Sequence, residues 1–409
     1  MDMQTGLAPS LQKLPTRRPI SGAILRRLLS GLACGSLTLE LPNGQKATHA
    51  AAVPGPDATL IVRRWRVARR LLLEGQIGFA ESYIDGDWTT PDLAALIELA
   101  ARNQDGLGDM LVGTWLQRLS VRLGHRKRAN TKRGSRRNIR AHYDLGNDFY
   151  AAWLDRGMSY SSALFRSRCD TLETAQTAKQ DRIIDLLDLR GGEHVLEIGC
   201  GWGGLAQRLI LERGCRVTGL TLSPAQAGHA RELLALSGAG EAADIRLQDY
   251  RDTKGQFDRI VSIEMLEAVG ADYWPIYFAR LRGCLAEGGR AVLQVITIAE
   301  KYYESYRRDP DFIQQHIFPG GMLPSIPALR EQISGHGLRL VSAEHFGESY
   351  ALTLAEWHRR FQLAWPDLRH LGFDDAFRRK WEYYLAYCEG GFRAGVIDVG
   401  LYQVMPNPG

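Results

Sequence analysis

The part of this 409-residue sequence best suited to holding a ligand is a run of glycines behind a short apolar segment. In Glu197-Ile-Gly199-Cys-Gly201-Trp-Gly203-Gly204, the glycines let main chain approach a bound molecule with no Cβ in the way. The spacing also satisfies G-x-G-x-x-G, the pattern of dinucleotide-binding turns, which on its own is a weak signal. Two features favour S-adenosylmethionine (SAM) over NAD. Glu197 lies two positions before the first glycine, where its carboxyl can help order the loop. The next strand-like segment ends Thr218-Gly-Leu-Thr221-Leu-Ser, with no carboxylate for the ribose diol of a dinucleotide.

Such a loop works only if a strand delivers it and a helix follows it. His194-Val-Leu-Glu-Ile-Gly reads as that strand, and Gly204 to Arg213 as the helix. Cys215-Arg-Val-Thr-Gly-Leu-Thr-Leu reads as the next strand. Ser223-Pro224 then supplies an N-cap with proline in the first turn of a further helix. Phe257 to Ile263 and Arg290 to Ile296 repeat the apolar strand signal, with helix between them. This alternation predicts an α/β fold with a mostly parallel, doubly wound, Rossmann-like sheet over residues 141–409.

Upstream, residues 1–20 read as a disordered tail without the apolar core of a signal peptide. Leu37-Thr-Leu-Glu-Leu alternates with period two, Pro42-Asn-Gly signals a turn, and Thr59-Leu-Ile-Val alternates again. A helix is expected from Pro91-Asp92-Leu93, so residues 21–105 read as a small α+β module. Residues 106–140 form a basic amphipathic linker. Val112, Leu116, Leu119 and Leu123 share one helical face, and Arg126-Lys127-Arg128, Lys132-Arg133, Arg136-Arg137 and Arg140 follow. No acidic residue occurs between Met110 and Tyr143. A solvated linker and an anionic-membrane contact both fit this stretch, and the apolar face beside the charge favours the membrane. Nucleic acid is not expected, because no recognition module accompanies the charge.

The bulk numbers narrow the class. A net charge of +5, with 45% hydrophobic and 24% charged residues, is ordinary for globular protein. The six cysteines show no metal-ligand spacing, so no metal site is expected and reduced thiols in a cytoplasmic protein are. No apolar run reaches membrane-spanning length, so contact with lipid is expected to be peripheral.

Tyr143-Asp-Leu-Gly-Asn-Asp-Phe-Tyr150, with Met158-Ser-Tyr160-Ser161-Ser162-Ala163, closely resembles the signature of cyclopropane-fatty-acid synthases, including the mycolic acid enzymes. The resemblance continues through Gly78 to Trp88, the glycine loop, Thr221 to Gln226, Gln248 to Tyr250, and Glu264-Met-Leu-Glu267-Ala-Val-Gly270. It runs on through Ile317 to Ser325, Phe346 to Tyr350, and Trp381 to Gly395. These blocks occur in order from about residue 75 to about 400 and are very specific together. The resemblance implies a lipid-associated N-terminal module, a SAM methyltransferase domain, and a homodimer. It also implies SAM contacts from Tyr160, Ser161, Gly199, Gly201, Gly203, Thr221, Leu222 and Gln226, with Tyr250 near the adenine.

The implied reaction is methyl transfer to the double bond of a phospholipid acyl chain, followed by proton loss that closes a cyclopropane. An alkene is a poor nucleophile, so the sulfonium methyl must be held in line with it. The carbocation that follows needs a dry site with aromatic faces or carboxylates. In the family the proton is thought to pass to a bicarbonate held by a cysteine, a glutamate, a histidine, a tyrosine and backbone. Glu267 and Tyr350 match the glutamate and tyrosine, whereas Ser162 stands for the cysteine and Gln294 for the histidine. Ser162 and Gln294 can hydrogen-bond an anion, but Gln294 cannot titrate. Glu267 is expected to be the most sensitive catalytic position. Cyclopropane is the favoured product, with a methyl-branched or methylene chain as the alternative. A silent lipid-binding protein and a methyltransferase for a soluble metabolite are the rival classes.

Overall fold

The computed structural model describes residues 27–107, Thr131, Gly134 and 145–408. The expected tail at 1–20 and nearly all of the basic linker at 106–140 lie outside these residues, as do Tyr143 and Asp144. The described chain forms two compact units, residues 27–107 with 372–396, and residues 145–371 with 397–408.

In the first unit, β1 (Cys34–Glu40), β2 (Lys46–Ala50), β3 (Val53–Val62) and β4 (Trp88–Thr89) form a sheet in the order β2-β1-β3-β4. The Pro42-Asn-Gly turn joins β1 to β2 in an antiparallel hairpin, and β3 lies parallel to β1. β2 itself gives no strand signal between the turn and Thr59 in the sequence. Lys46-Ala-Thr-His-Ala carries no large aliphatic side chain, which hides β2 from a hydrophobic pattern. α1 (Arg66–Ile84) and α2 (Leu93–Arg102) follow, and α2 starts where expected, with Asp92 accepting from the Ala95 N–H at 2.9 Å.

Residues 372–396 correct the expected domain boundary. The helix Asp375–Arg393, assigned above to the methyltransferase domain, packs on α2 and α1 in the first unit. A Cβ at Gly390 would sit 2.8 Å from the Glu98 main-chain nitrogen, so the approach to α2 requires glycine there.

The second unit is the doubly wound α/β domain. It contains α3 (Leu172–Leu187), β5 (His194–Ile198), α4 (Gly204–Arg213), β6 (Arg216–Thr221), α5 (Pro224–Leu236), β7 (Ala243–Leu247) and β8 (Phe257–Ile263). α6 (Leu266–Val269), α7 (Trp274–Cys284), β9 (Leu285–Ile298), β10 (Leu338–His345), α8 (Gly347–His370) and β11 (Ile397–Pro406) also belong to it. The strand order is β10-β11-β9-β8-β5-β6-β7. β5 through β9 are parallel, and β11 inserts antiparallel between β9 and β10.

Alternation along the central strands divides the core between the two sheet faces. Leu196, Ile260 and Leu293 face one way, onto Tyr277, Phe278 and Leu281 of α7. Val195, Val261 and Val292 face the other, onto Ile183 and Leu187 of α3 and Leu205 and Leu209 of α4. Each fully buried side chain of this kind contributes about 1.5–3 kcal/mol. Both faces are therefore covered, and the chain reverses its winding between β5 and β8. Ligands of such sheets gather at the carboxyl ends of those strands.

Candidate active site

The glycine loop leaves the end of β5 and starts α4. Gly199 and Cys200 donate their N–H groups to the Leu220 carbonyl at 3.0 and 2.9 Å, tying the loop to β6. Gly201 has φ +51°, and a Cβ built there would meet no atom within 4 Å. The loop thus presents bare, open main chain at the position where the sequence reading placed SAM. Trp202 anchors it from the side, donating its indole N–H to Asn147 Oδ1 at 2.8 Å.

The loop also touches the end of β8. A Cβ on Gly199 would lie 2.8 Å from Met265 Cγ, so the glycine is what lets the two strand ends close on each other. Directly beside Met265 stands Glu264, the hub of the site. Its Oε1 accepts from the Ser162 N–H at 2.8 Å and from Gln294 Nε2 at 2.7 Å. Its Oε2 accepts from the Tyr350 hydroxyl at 2.6 Å. The Glu264 N–H donates to the Gln294 carbonyl at 2.8 Å, continuing the β8–β9 ladder one residue beyond Ile263. The structure therefore brings Ser162, Gln294 and Tyr350 together as expected, but around Glu264, which the sequence reading did not single out.

Glu264 takes φ +49°, a backbone region that costs a side-chain-bearing residue energy and suits glycine. The signal available in the sequence was a second carboxylate three residues before Glu267, immediately past the strand. Its positive φ could not be read, because only glycine advertises that conformation.

Glu267 lies in the first turn of α6. Its Oε1 accepts from the Ile296 N–H at 2.5 Å, and its buried Oε2 has no hydrogen-bond partner. Burial, reinforced by the Glu264 charge, pushes its carboxyl up to about 8, so it is largely a neutral acid at pH 7. Ser162 contributes its N–H to the hub, while its hydroxyl donates to the Ala163 carbonyl at 2.9 Å. Gln294 Oε1 is buried without a partner.

The charges around the hub are arranged in depth. Burial pushes the Glu264 carboxyl up, opposed first by the Tyr350 hydrogen bond, then by the Ser162 N–H and the Lys179 charge. Lys179 of α3 is buried and donates to Ser161 Oγ at 2.8 Å. Burial holds it down to about 8, against the pull of Glu264, Asp155 and Glu197, so it remains largely cationic at pH 7. Glu197 on β5 is pushed up to about 8 by burial and is largely neutral. Lys179 thus supplies buried positive charge beside Glu264 and Asp155.

A chain of mostly buried aromatic rings packs from the loop to the hub. Tyr150 lies 5.2 Å from Trp202 and 5.3 Å from Tyr160, and Tyr160 lies 5.4 Å from Trp357. Trp357 in turn packs on Trp153 at 5.6 Å and on Tyr350 at 6.1 Å. Such faces exclude water and favour positive charge.

The remaining expected SAM residues divide. Thr221 donates to Gln226 Oε1 at 2.8 Å, joining the end of β6 to α5, and the half-buried Leu222 follows. Gly203 meets Ala230 of α5 and packs the loop on that helix. Ser161 is held by Lys179. Tyr250 is buried in the core against Tyr277, with its hydroxyl lacking a hydrogen-bond partner. All six cysteines carry free thiols, and no metal-binding group of His, Cys, Asp or Glu occurs among the described residues. No described helix is long and apolar enough to cross a membrane.

Residues 130–402 match the family model described as mycolic acid cyclopropane synthetase. The chain is 40% identical over 402 residues to the tuberculostearic acid methyltransferase UfaA1 of Mycobacterium tuberculosis, covering 96% of this chain and 93% of that one. It is 37% identical over 341 residues to the cyclopropane-fatty-acyl-phospholipid synthase of Escherichia coli, covering 83% and 85%. Among solved structures it is similar to mycolic acid cyclopropane synthase CmaA1 complexed with SAH and CTAB. That likeness has a TM-score of 0.62 and 32% identity, and covers 66% of this chain and 97% of that one.

Proposed function

This chain belongs to the mycolic acid cyclopropane synthetase family, and on that premise we propose that it methylates the double bond of unsaturated acyl chains in phospholipids. It is a SAM-dependent methyltransferase, and SAM, when bound, supplies the electrophilic methyl group. The observation that carries the lipid reading is the chain of packed aromatic rings from Trp202 to Tyr350, which joins the open glycine loop to a buried carboxylate. A soluble metabolite would need polar partners along that path, whereas an acyl chain needs dry walls and a tolerated cation.

The same residues bear on the product. After methyl addition to a disubstituted alkene, the cation is secondary, and the neighbouring methyl-bearing carbon holds a hydrogen. A hydride shift from that carbon gives a more stable tertiary cation. Every delay in proton removal favours the shift. Gln294 cannot accept a proton, and Glu264, held by three donors, must rearrange those bonds before it can take one, which slows the transfer. These features support proton loss from the tertiary cation and an open-chain methylene product, in place of the ring favoured on sequence alone. The methylene and cyclopropane lipids have equal mass, each one CH2 heavier than the substrate. A saturated methyl branch would require a separate hydride donor.

Approach to the acyl chain through an anionic membrane surface, by way of the basic stretch at 109–140, belongs to the same proposal. Lipid extracts of cells with and without the chain test it. Phospholipids one CH2 heavier should appear only with the chain, and they should still react as alkenes. Identical lipid profiles in the two cultures would reject the lipid substrate.

A further inference from the structure

We propose that Glu264 is a built-in carboxylate that fills the anion site of this active centre and accepts the proton lost from the methylated chain, so that no diffusible bicarbonate is needed. This rests on the methyltransferase reading above and adds the identity of the base. Three donors from separate parts of the chain converge on one carboxylate: the Ser162 N–H, Gln294 Nε2 on β9, and the Tyr350 hydroxyl on α8. Three of the four positions that the family resemblance assigns to holding a small anion, Ser162, Gln294 and Tyr350, make these bonds. They are spent on a side chain of the protein itself.

Two further observations show that this carboxylate is held for a purpose other than folding. The first is strain. Glu264 occupies φ +49°, where glycine would fit without penalty and a residue with a Cβ costs about 1–3 kcal/mol. The second is burial. A carboxyl removed from water is costly unless charge compensates it, and Lys179 supplies that charge from α3. A position that would be easier to build with glycine, and cheaper to leave uncharged, is kept acidic beside the glycine loop.

The step balances without a further reactant. The alkene π pair forms the new bond to the methyl carbon, while the sulfur–carbon pair stays on sulfur. The hydride moves with its pair to the neighbouring cationic carbon. A C–H bond of the new methyl then breaks, its pair forms the C=CH2 double bond of a methylene branch, and the proton goes to a Glu264 oxygen. Burial makes Glu264 a stronger base than an exposed carboxylate, and aromatic walls keep water from intercepting the cation. The proton leaves to solvent after the product does.

Glu264→Gly is the informative variant, because glycine suits the backbone and empties the anion site. In buffer stripped of bicarbonate, wild-type methyl transfer from labelled SAM to unsaturated phospholipid vesicles should proceed at its full rate. Glu264→Gly should lose on the order of 100-fold in turnover with SAM affinity unchanged. Added bicarbonate or formate should restore part of that loss and should bind the variant, but not the wild type, in calorimetry. Wild-type activity that collapses without bicarbonate would overturn the proposal, as would a Glu264→Gly enzyme that is fully active without an added anion. Bicarbonate binding to the wild type with the affinity seen for the variant would overturn it even if no lipid were methylated. Absence of lipid methylation by the wild type in every buffer would instead reject the reading on which the proposal rests.

Discussion

Glu267→Gln separates charge from shape at a buried carboxyl, whose upward shift gives the sign of the effect and its order of magnitude. Glu267 is pushed up to about 8 by burial and by the Glu264 charge. In the unfolded chain the same group ionises near ~4.3. Between those values the folded protein keeps a proton that the unfolded chain has released. The stability tied to this group is therefore complete below about pH 4.3 and is lost as pH rises through about 8, with a slope approaching about 1.4 kcal/mol per pH unit. Glutamine keeps an acceptor for the Ile296 N–H and has nothing to ionise. The variant should match wild type near pH 5 and become progressively more stable than it, by about 2–4 kcal/mol at pH 8. Glu197, also pushed up to about 8, leaves a residual slope that Glu197→Gln should remove. Lys179, held down to about 8, contributes only above that pH, where it acts with the opposite sign. Urea unfolding followed by tryptophan fluorescence at pH 5, 6, 7 and 8 reads the difference. Parallel pH profiles for wild type and Glu267→Gln would refute the argument.

Gly201→Val adds a branched side chain at φ +51° over the open face of the loop. SAM affinity measured by calorimetry should fall at least about tenfold, the equivalent of about 1.4 kcal/mol. Changing Arg126, Lys127, Arg128, Arg136 and Arg137 to glutamine should weaken sedimentation with anionic vesicles. Wild-type binding should fall as salt rises, each charge contributing about 1 kcal/mol at the surface. Gln294→His restores a titratable group on β9 beside Glu264, and product analysis by proton NMR should show part of the methylene lipid replaced by cyclopropane. Turnover of Glu267→Gln should fall less than that of Glu264→Gly in the same vesicle assay, because three donors converge on Glu264 and only one reaches Glu267.

What the sequence revealed and what it hid follow one physical line. Local signals were legible: the β5 strand, the glycine loop and α4 are written in consecutive residues. So is the Ser223 cap of α5, whose hydroxyl accepts from the Gln226 N–H. Ser162, Gln294 and Tyr350 were found by resemblance, and the structure gathers them. Glu264 was missed because its role is set by donors from three distant segments and by a backbone angle that its side chain does not announce. Glu267 follows the family pattern, and the Ser162, Gln294 and Tyr350 donors converge on the glutamate three residues earlier. The helix Asp375–Arg393 was misassigned for a similar reason. Its place on α2 depends on Gly390 meeting Ile97 and Glu98, a contact nearly 300 residues apart in sequence. β11 escaped notice because its register against β9 is likewise long-range, with Leu401 opposite Gln294.

The central claim is that this chain places the SAM methyl on an acyl-chain carbon and leaves an alkene there. Purified protein, SAM carrying 13C in its methyl group and vesicles of monounsaturated phospholipid, followed by carbon NMR of the extracted lipid, test it most directly. The account predicts that the label appears as the terminal =CH2 carbon of a methylene branch on the acyl chain. Label in a cyclopropane CH2 would contradict the proposed proton-loss step. Label in a headgroup, or its absence from the lipid, would contradict the substrate itself.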